Sequence, residues 1–140
     1  MANYVESIFY YYNKKIEHYG LQILFKFYSN NYLLFDSSNF ILLNDIKIFD
    51  KLFRWKKIDY PELSTKNVQI KNIMEDELTC YFIEFSNNDI FYIYQRIDEI
   101  EHWEQDFKIA SKNKNLIEYN EIKKYMNEDW IDKINIKDCD

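Results

Sequence analysis

The chain has 140 residues, and its 18 Lys or Arg against 24 Asp or Glu give a net charge of −6. With 47% hydrophobic residues, 13 Tyr and 11 Phe, it is too apolar and too aromatic for a disordered protein. Its length predicts one domain with a sizeable core. We expect that domain to span residues 1–134, followed by a frayed polar tail over residues 135–140.

Charge is unevenly distributed along the chain. Residues 1–70 carry nine basic and seven acidic side chains, for +2, whereas residues 71–140 carry nine and seventeen, for −8. An acidic half repels nucleic-acid phosphates and favours a basic protein surface. We therefore expect a protein partner and no direct binding of nucleic acid.

No cofactor or metal motif is present in the sequence. The single Gly excludes both glycine-rich nucleotide-binding fingerprints, and the two Cys lack zinc-ligand spacing. No apolar run reaches the roughly 18 residues of a membrane span, and no basic leader precedes an apolar block at the start of the sequence. These features predict a cytoplasmic protein without cofactors, metals or membrane contact.

An apolar stripe at the helical period begins the chain. It runs from Val5 to Tyr19 and predicts an N-terminal helix over residues 4–19. Asn3 has the spacing of a helix cap, and Gly20 stands where a left-handed residue often ends a helix.

Two Ser-Asn-Asn triplets, at residues 29–31 and 86–88, predict hairpin turns, because Asn tolerates the positive φ of a tight turn. The repeated triplet indicates either a duplicated unit or shared turn chemistry in an Asn-rich chain. We favour shared turn chemistry, since the predicted N-terminal helix has no counterpart before the second triplet.

The hairpin Leu78–Ile97 is apolar on both faces, so we expect it in the middle of a sheet, beneath a helix or against a partner. Pairing Phe85 with Ile90 places one set of side chains together on one face. That set comprises Phe85, Ile90, Ile83, Tyr81, Tyr92 and Tyr94.

Residues 39–77 connect the two hairpins. Phe40 to Leu43 predicts a strand. Residues 44–57 fit either another strand or a helix capped by Asp45, of which we favour the helix. Pro61 ends it, and residues 67–74 predict a strand that turns into the second hairpin.

Two helices are predicted near the C-terminus. Asp98 and Glu101 have N-cap spacing before an apolar stripe from Ile100 to Ala110, and Asn115 begins a second helix whose stripe runs to residue 134. The sequence thus predicts an α+β fold. Its largely antiparallel sheet is built on β-hairpins and covered by the N-terminal helix and the two C-terminal helices.

A poorly compensated acidic strip on the first C-terminal helix is the main candidate site. Like charges at helical spacing disfavour the isolated helix, so a basic partner would explain them. The alternative is an ordinary solvated helix face whose acids lie near a helix N-terminus. The predicted partner-binding residues are Asp98, Glu99, Glu101, Glu104 and Asp106, together with the tyrosines Tyr81, Tyr92 and Tyr94.

An enzymatic alternative is a metal-dependent nuclease. Asp59 and Gln69 could hold Mg²⁺, and Lys71, two residues after Gln69, could position the attacking water. Such short patterns are common by chance in a chain rich in Asp and Lys. A third alternative is a small-molecule sequestering protein whose pocket is lined by the aromatic residues.

In size, acidity and lack of catalytic motifs, the chain resembles polymorphic-toxin immunity proteins and phage anti-defence proteins. The resemblance covers composition and length only. It implies a non-enzymatic inhibitor that blocks a partner protein with a basic surface, such as a nucleic-acid-handling enzyme or a toxin.

Overall fold

The computed structural model of the protein describes residues 3–13, 20–36, 38–44, 54–97 and 103–134. Within these residues lie the α-helix α1 (Leu116–Tyr125), a 3₁₀ helix (Pro61–Thr65) and ten strands. The strands are β1 (Val5–Asn13), β2 (Gly20–Phe27), β3 (Tyr32–Asp36), β4 (Asn39–Leu43), β5 (Lys56–Lys57), β6 (Ile70–Glu75), β7 (Tyr81–Phe85), β8 (Ile90–Ile97), β9 (Trp103–Ala110) and β10 (Asp132–Ile134).

The strands form two antiparallel sheets, ordered β4-β3-β2-β1-β5 and β10-β6-β7-β8-β9. The inner faces of the two sheets share one hydrophobic core. Ring centroids of Phe25 and Phe91 lie 5.6 Å apart across it, and those of Phe35 and Tyr81 lie 5.0 Å apart. Aromatic burial of this size supplies much of the stability of a small domain.

Both sheets have the same internal organisation. In the first, β1 to β4 form a meander and β5 returns beside β1; in the second, β6 to β9 form a meander and β10 returns beside β6. We call these the first unit (β1–β5) and the second unit (β6–β10). Their strand order and pairing directions are the same.

The equivalence extends to single residues. In the β2–β3 hairpin, Phe27 N donates to Asn31 O and Asn30 is left-handed at φ 65°. In the β7–β8 hairpin, Phe85 N donates to Asp89 O and Asn88 is left-handed at φ 73°. Each hairpin thus has a three-residue loop that ends on an Asn of positive φ. The Ser-Asn-Asn triplet therefore begins at the second residue of the first loop but at the first residue of the second loop.

A β-bulge also recurs at the same place. It lies between Val5 and Ser7 opposite Phe27, and between residues 70 and 72 opposite Phe85. Each bulged residue forms an ion pair with the neighbouring strand, Glu6 with Lys26 at 3.4 Å in the first unit. In the second unit Lys71 pairs with Glu84 at 3.8 Å, so the charges are reversed.

The outer face of each sheet carries an equivalent apolar cluster. Leu24, Tyr32 and Leu34 are buried on the first sheet. Counting from the left-handed Asn of each loop, their equivalents on the second sheet are Phe82, Ile90 and Tyr92, which lie in or against the cluster under α1.

Helix α1 covers part of the outer face of the second sheet. Asn115 caps it, since its Oδ1 accepts from Glu118 N at 3.1 Å. Tyr119 and Ile122 pack on the apolar cluster, and Lys123 forms an ion pair with buried Glu84. The predicted second C-terminal helix is therefore present, but it ends at Tyr125 instead of continuing to residue 134.

The predicted arrangement of one sheet covered by three helices is wrong. The N-terminal segment is the strand β1, and Gly20 lies in β2 instead of ending a helix. The apolar residues of β1 serve both faces, with Ile8 in the inner core and Phe9 against the outer cluster. A strand covered on both faces loses its period of two and can imitate a helical stripe.

The predicted first C-terminal helix is also wrong where the structure describes it, because residues 103–110 form the edge strand β9. Phe107 packs in the core between the sheets, whereas Ala110 packs under α1 on the opposite face. Of residues 44–57, positions 45–53 lie outside the described residues, and β5 follows them.

The second hairpin has the predicted strands and turn but a different register. Glu84, not Phe85, lies opposite Ile90. This one-residue shift exchanges the faces of β8. Tyr81, Ile83 and Phe85 face the other sheet, whereas Ile90, Tyr92 and Tyr94 face outward with Phe82.

No helix in the described part of the chain is long and apolar enough to cross a membrane. The predicted frayed tail, residues 135–140, lies outside the described residues.

Candidate protein-binding surface

The structure places the described members of the predicted partner-binding set at two locations. Tyr92 and Tyr94 are half-buried on the outer face of the second sheet, with Asp106 directly opposite Tyr94 and Glu104 further along β9. Tyr81 lies in the core between the sheets and is only 1% exposed. Asp98, Glu99 and Glu101 lie outside the described residues.

Arg96 compensates the two acids on β9. Its guanidinium lies 3.5 Å from a carboxylate oxygen of Glu104 and 3.5 Å from one of Asp106. Asp106 also accepts a hydrogen bond of 2.9 Å from the hydroxyl of Tyr12, which belongs to the other sheet. Burial and this hydrogen bond raise the pKa of Tyr12. Asp106 therefore helps to join the sheets.

A row of five aromatic rings crosses the outer face of the second sheet. Tyr94 stacks on Tyr92 at 5.3 Å between centroids, and Tyr92 stacks on Phe82 at 4.9 Å. Phe82 contacts Tyr125 at 5.7 Å, and Tyr125 contacts Trp130 at 6.2 Å. The row is buried at Phe82 and ends at Trp130, which is 44% exposed.

A lysine lies over the Tyr94 end of the row. The Lys108 ammonium lies 5.6 Å from the ring centroid of Tyr92 and 5.4 Å from that of Tyr94, within range of a cation–π interaction. Lys108 also pairs with Glu118 of α1 at 3.5 Å. Its charge is thus shared between the row and the helix.

Several acidic residues lie at the strand ends next to the Trp130 end of the row. We call these five residues the acidic margin: Glu75, Glu77, Glu128, Asp129 and Asp132. Glu75 and Asp132 lie on the face of the sheet that carries Tyr81, whereas Lys133, opposite Met74, lies on the face of the aromatic row. Asp132 lies directly opposite Glu75 on neighbouring strands, Glu77 follows in the β6–β7 turn, and Glu128 N donates to Tyr125 O at 3.1 Å. None of the five forms an ion pair with another described residue.

Buried Asp76 fixes this end of the row. Its Oδ1 accepts from Leu78 N at 2.9 Å and from Cys80 N at 2.8 Å, and its Oδ2 accepts from the Tyr125 hydroxyl at 2.6 Å. Asp76 thereby connects the β6–β7 turn to the ring that contacts Trp130. A surface held in this way loses little conformational entropy on binding.

The first unit provides an internal comparison for the margin. Counted from the bulge, Glu75 corresponds to Tyr10, and Asp132 corresponds to Lys56, which lies opposite Tyr10. The same strand pairing is therefore built in the first unit without two facing acids. The fold does not require the like-charge pair.

The acidic margin could not be predicted from local sequence patterns, because β6 and β10 are distant along the chain. Glu75 and Asp132 are separated by α1 and three strands, so no local pattern relates them. The available signals were the runs Glu75-Asp76-Glu77 and Glu128-Asp129 next to Trp130.

The structure describes all three residues of the nuclease alternative, Asp59, Gln69 and Lys71. Asp59 is exposed, the backbone of Gln69 bonds to Ser86, and Lys71 pairs with Glu84. Among the described residues, no group of three or more His, Cys, Asp or Glu side chains is placed to hold a metal ion. The nuclease interpretation stays a prediction.

Comparison of the chain with protein-family models, with curated proteins and with solved structures found no match. The chemistry of the surfaces described above therefore supplies the grounds for a function.

Proposed function

We propose that the protein is a non-enzymatic binding protein that blocks a partner protein bearing a basic surface, and that the acidic margin with Trp130 makes the contact. One observation carries the proposal: the exposed Trp130 directly follows Glu128 and Asp129, Asp132 two residues further faces Glu75 on the neighbouring strand, and these acids lack ion pairs with other described residues. The net charge of −8 over residues 71–140 supports the same partner chemistry.

The physical roles of the two components differ. A large aromatic side chain such as Trp130 commonly supplies a dominant share of binding energy when a partner pocket buries it. Surrounding charges mainly accelerate encounter with an oppositely charged surface. The repulsion between Glu75 and Asp132 would also be relieved when a basic residue of the partner lies between them.

A cytoplasmic location is part of the proposal. Cys80 is a free, half-buried thiol, as expected in a reducing compartment. Burial raises its pKa, so it is little ionised at neutral pH and poorly reactive.

The test begins with the tagged full chain as bait in its native cell, with bound proteins identified by mass spectrometry. The purified partner is then titrated against wild type, Trp130→Ala and Asp132→Lys. Two controls match these changes on the first unit. Tyr28→Ala removes a ring that is 43% exposed, and Glu6→Lys changes the net charge by the same two units.

We expect a one-to-one complex whose association slows as salt rises. Asp132→Lys should slow association, and Trp130→Ala should accelerate dissociation, while both controls bind like wild type. Salt-independent binding, or equal losses in the control variants, would exclude the acidic margin as the contact. A hydrolytic activity of the purified chain would exclude the non-enzymatic role.

A further inference from the structure

One of the four edge strands of the two sheets lacks the features that usually prevent pairing with another chain. Exposed edge strands are normally protected from pairing with other chains by charged residues, Pro, bulges or short length. The edge strands β5, β9 and β10 are charged, and β5 and β10 have only two and three residues. In contrast, β4 (Asn39–Leu43) has four apolar residues in succession, without charge, Pro or a bulge.

The equivalent edge strand of the second unit, β9, carries a charged residue at the position of Ile41. Ile41 lies opposite Leu34, and Lys108 lies opposite Tyr92, the equivalent of Leu34. The equivalent of Ile41 on β9 is therefore Lys108. The second unit has a lysine at this edge position, whereas the first unit has an isoleucine there.

Strand β4 is apolar on both of its faces. Phe40 and Leu42 pack against the core between the sheets, and Leu43 packs against the outer cluster of the first sheet. All four apolar side chains of β4 remain partly exposed. Among the described strands, only β3 pairs with β4.

We propose that β4 is a homodimer interface, in which it pairs antiparallel with β4 of a second copy. A partner strand must be apolar on both faces to match β4, and β4 itself meets this requirement. A two-fold axis at Ile41 places Phe40 of each copy opposite Leu42 of the other and pairs all five residues. The pairing keeps inner residues with inner and outer with outer, so both apolar layers continue across the interface.

The dimer joins the two first sheets into one continuous ten-stranded sheet and leaves the acidic margin on the second sheet of each copy. The proposal is independent of the proposed function. Because a five-residue strand pair is small compared with a standard interface, we expect a weak, concentration-dependent dimer.

The test measures the mass of the full chain by sedimentation equilibrium from low micromolar to millimolar concentration. Ile41→Lys introduces the residue that the equivalent position of β9 already carries, so the fold should tolerate it. The matched control is Ile117→Lys, the same substitution at a side chain of α1 that is 74% exposed. Circular dichroism at low concentration checks that both variants are folded.

We expect a monomer–dimer equilibrium for wild type and for Ile117→Lys. Ile41→Lys should lower the association constant by about tenfold or more, since two lysines would face each other across the axis. A wild-type monomer at all concentrations would overturn the proposal and favour an extended segment of another protein as the occupant. Undiminished association of Ile41→Lys would overturn it as well.

A second measurement covers the case in which Ile41→Lys does not fold. In a chain whose Cys80 and Cys139 are replaced by Ala, Ile41→Cys should form a disulfide-linked dimer under mild oxidation, because the two residues face each other at the axis. Ile117→Cys should remain monomeric. Equal cross-linking of the two variants, or none of Ile41→Cys, would contradict the pairing.

Discussion

Glu75 of β6 and Asp132 of β10 lie directly opposite each other on antiparallel strands, and no cation of another described residue pairs with either. Facing like charges destabilise a sheet. At the equivalent position of the first unit, Tyr10 faces Lys56 without this repulsion. The second unit thus has an arrangement that its own fold disfavours, as expected when a surface is adapted to a partner.

Replacement of Asp132 by Lys should stabilise the free protein. The variant places a lysine opposite Glu75, as Lys56 is placed in the first unit, and we expect the free energy of unfolding to rise by about 0.2–1 kcal/mol. Urea unfolding at low and high salt would measure the gain, which should shrink as salt screens the charges. A loss of stability at low salt would contradict the assigned repulsion.

The two ends of the aromatic row should respond differently to truncation. Phe82→Ala removes a fully buried ring that contacts Tyr92 and Tyr125, and we expect a cost of about 3–5 kcal/mol. Trp130→Ala removes a ring that is nearly half exposed, so its cost should be about 1–2 kcal/mol. Thermal and urea unfolding would compare them. Equal costs would contradict the burial gradient along the row.

The stability of the second unit should depend on pH through Glu84. Burial by itself raises the pKa of this carboxyl, but hydrogen bonds from Lys123 and Asn72 and the nearby charge of Lys71 outweigh it and lower the pKa below 4.5. The unfolded state then binds more protons between the two pKa values. Glu84 therefore stabilises the fold above about pH 4.5, and this contribution is lost as the pH falls through the lowered folded-state pKa.

Glu84→Gln tests this linkage. We expect a loss of about 1–3 kcal/mol at pH 7, because Lys123 loses a charged acceptor that is only 4% exposed. Unfolding free energies from pH 7 to pH 3 should converge between variant and wild type. The control Glu121→Gln, at an exposed carboxylate of α1, should follow the wild-type curve throughout. A constant difference between Glu84→Gln and wild type would argue against a lowered pKa.

Tyr60 should anchor the segment between β5 and β6 to the β7–β8 turn. Its hydroxyl donates to buried Asp89 at 2.5 Å and accepts from Asn87 at 2.8 Å, and its ring stacks on Phe85. Tyr60→Phe keeps the ring but leaves a buried carboxylate without this donor, so we expect a loss of about 1–3 kcal/mol in urea unfolding. Tyr28→Phe, at an exposed tyrosine, should change stability by less than about 0.5 kcal/mol.

Local chemistry could be predicted from the sequence where a single side chain determines the backbone. Asn115 caps α1, and Asn88 takes the left-handed conformation of its turn. The helical assignment of residues 4–19 failed because Ile8 and Phe9 are both covered, on opposite faces of β1. Burial on both sides removes the alternation that identifies a strand.

The register of the β7–β8 hairpin and the pairing of β6 with β10 could not be predicted from local sequence patterns. The three-residue loop shifted the β7–β8 register by one and exchanged the faces of β8, which placed Tyr92 and Tyr94 outside and left Tyr81 inside. The acidic margin depends on the pairing of β10 with β6 across about sixty intervening residues. Strand pairing at such separation is decided by the packing of the whole domain.

The reversed ion pairs at the two bulges bear on how such a chain can diverge. Glu6 with Lys26 and Lys71 with Glu84 occupy equivalent positions with opposite polarity. The two bulges therefore accommodate an ion pair of either polarity. At these two positions, exchanging both charges together would keep the ion pair, whereas changing either residue alone would break it.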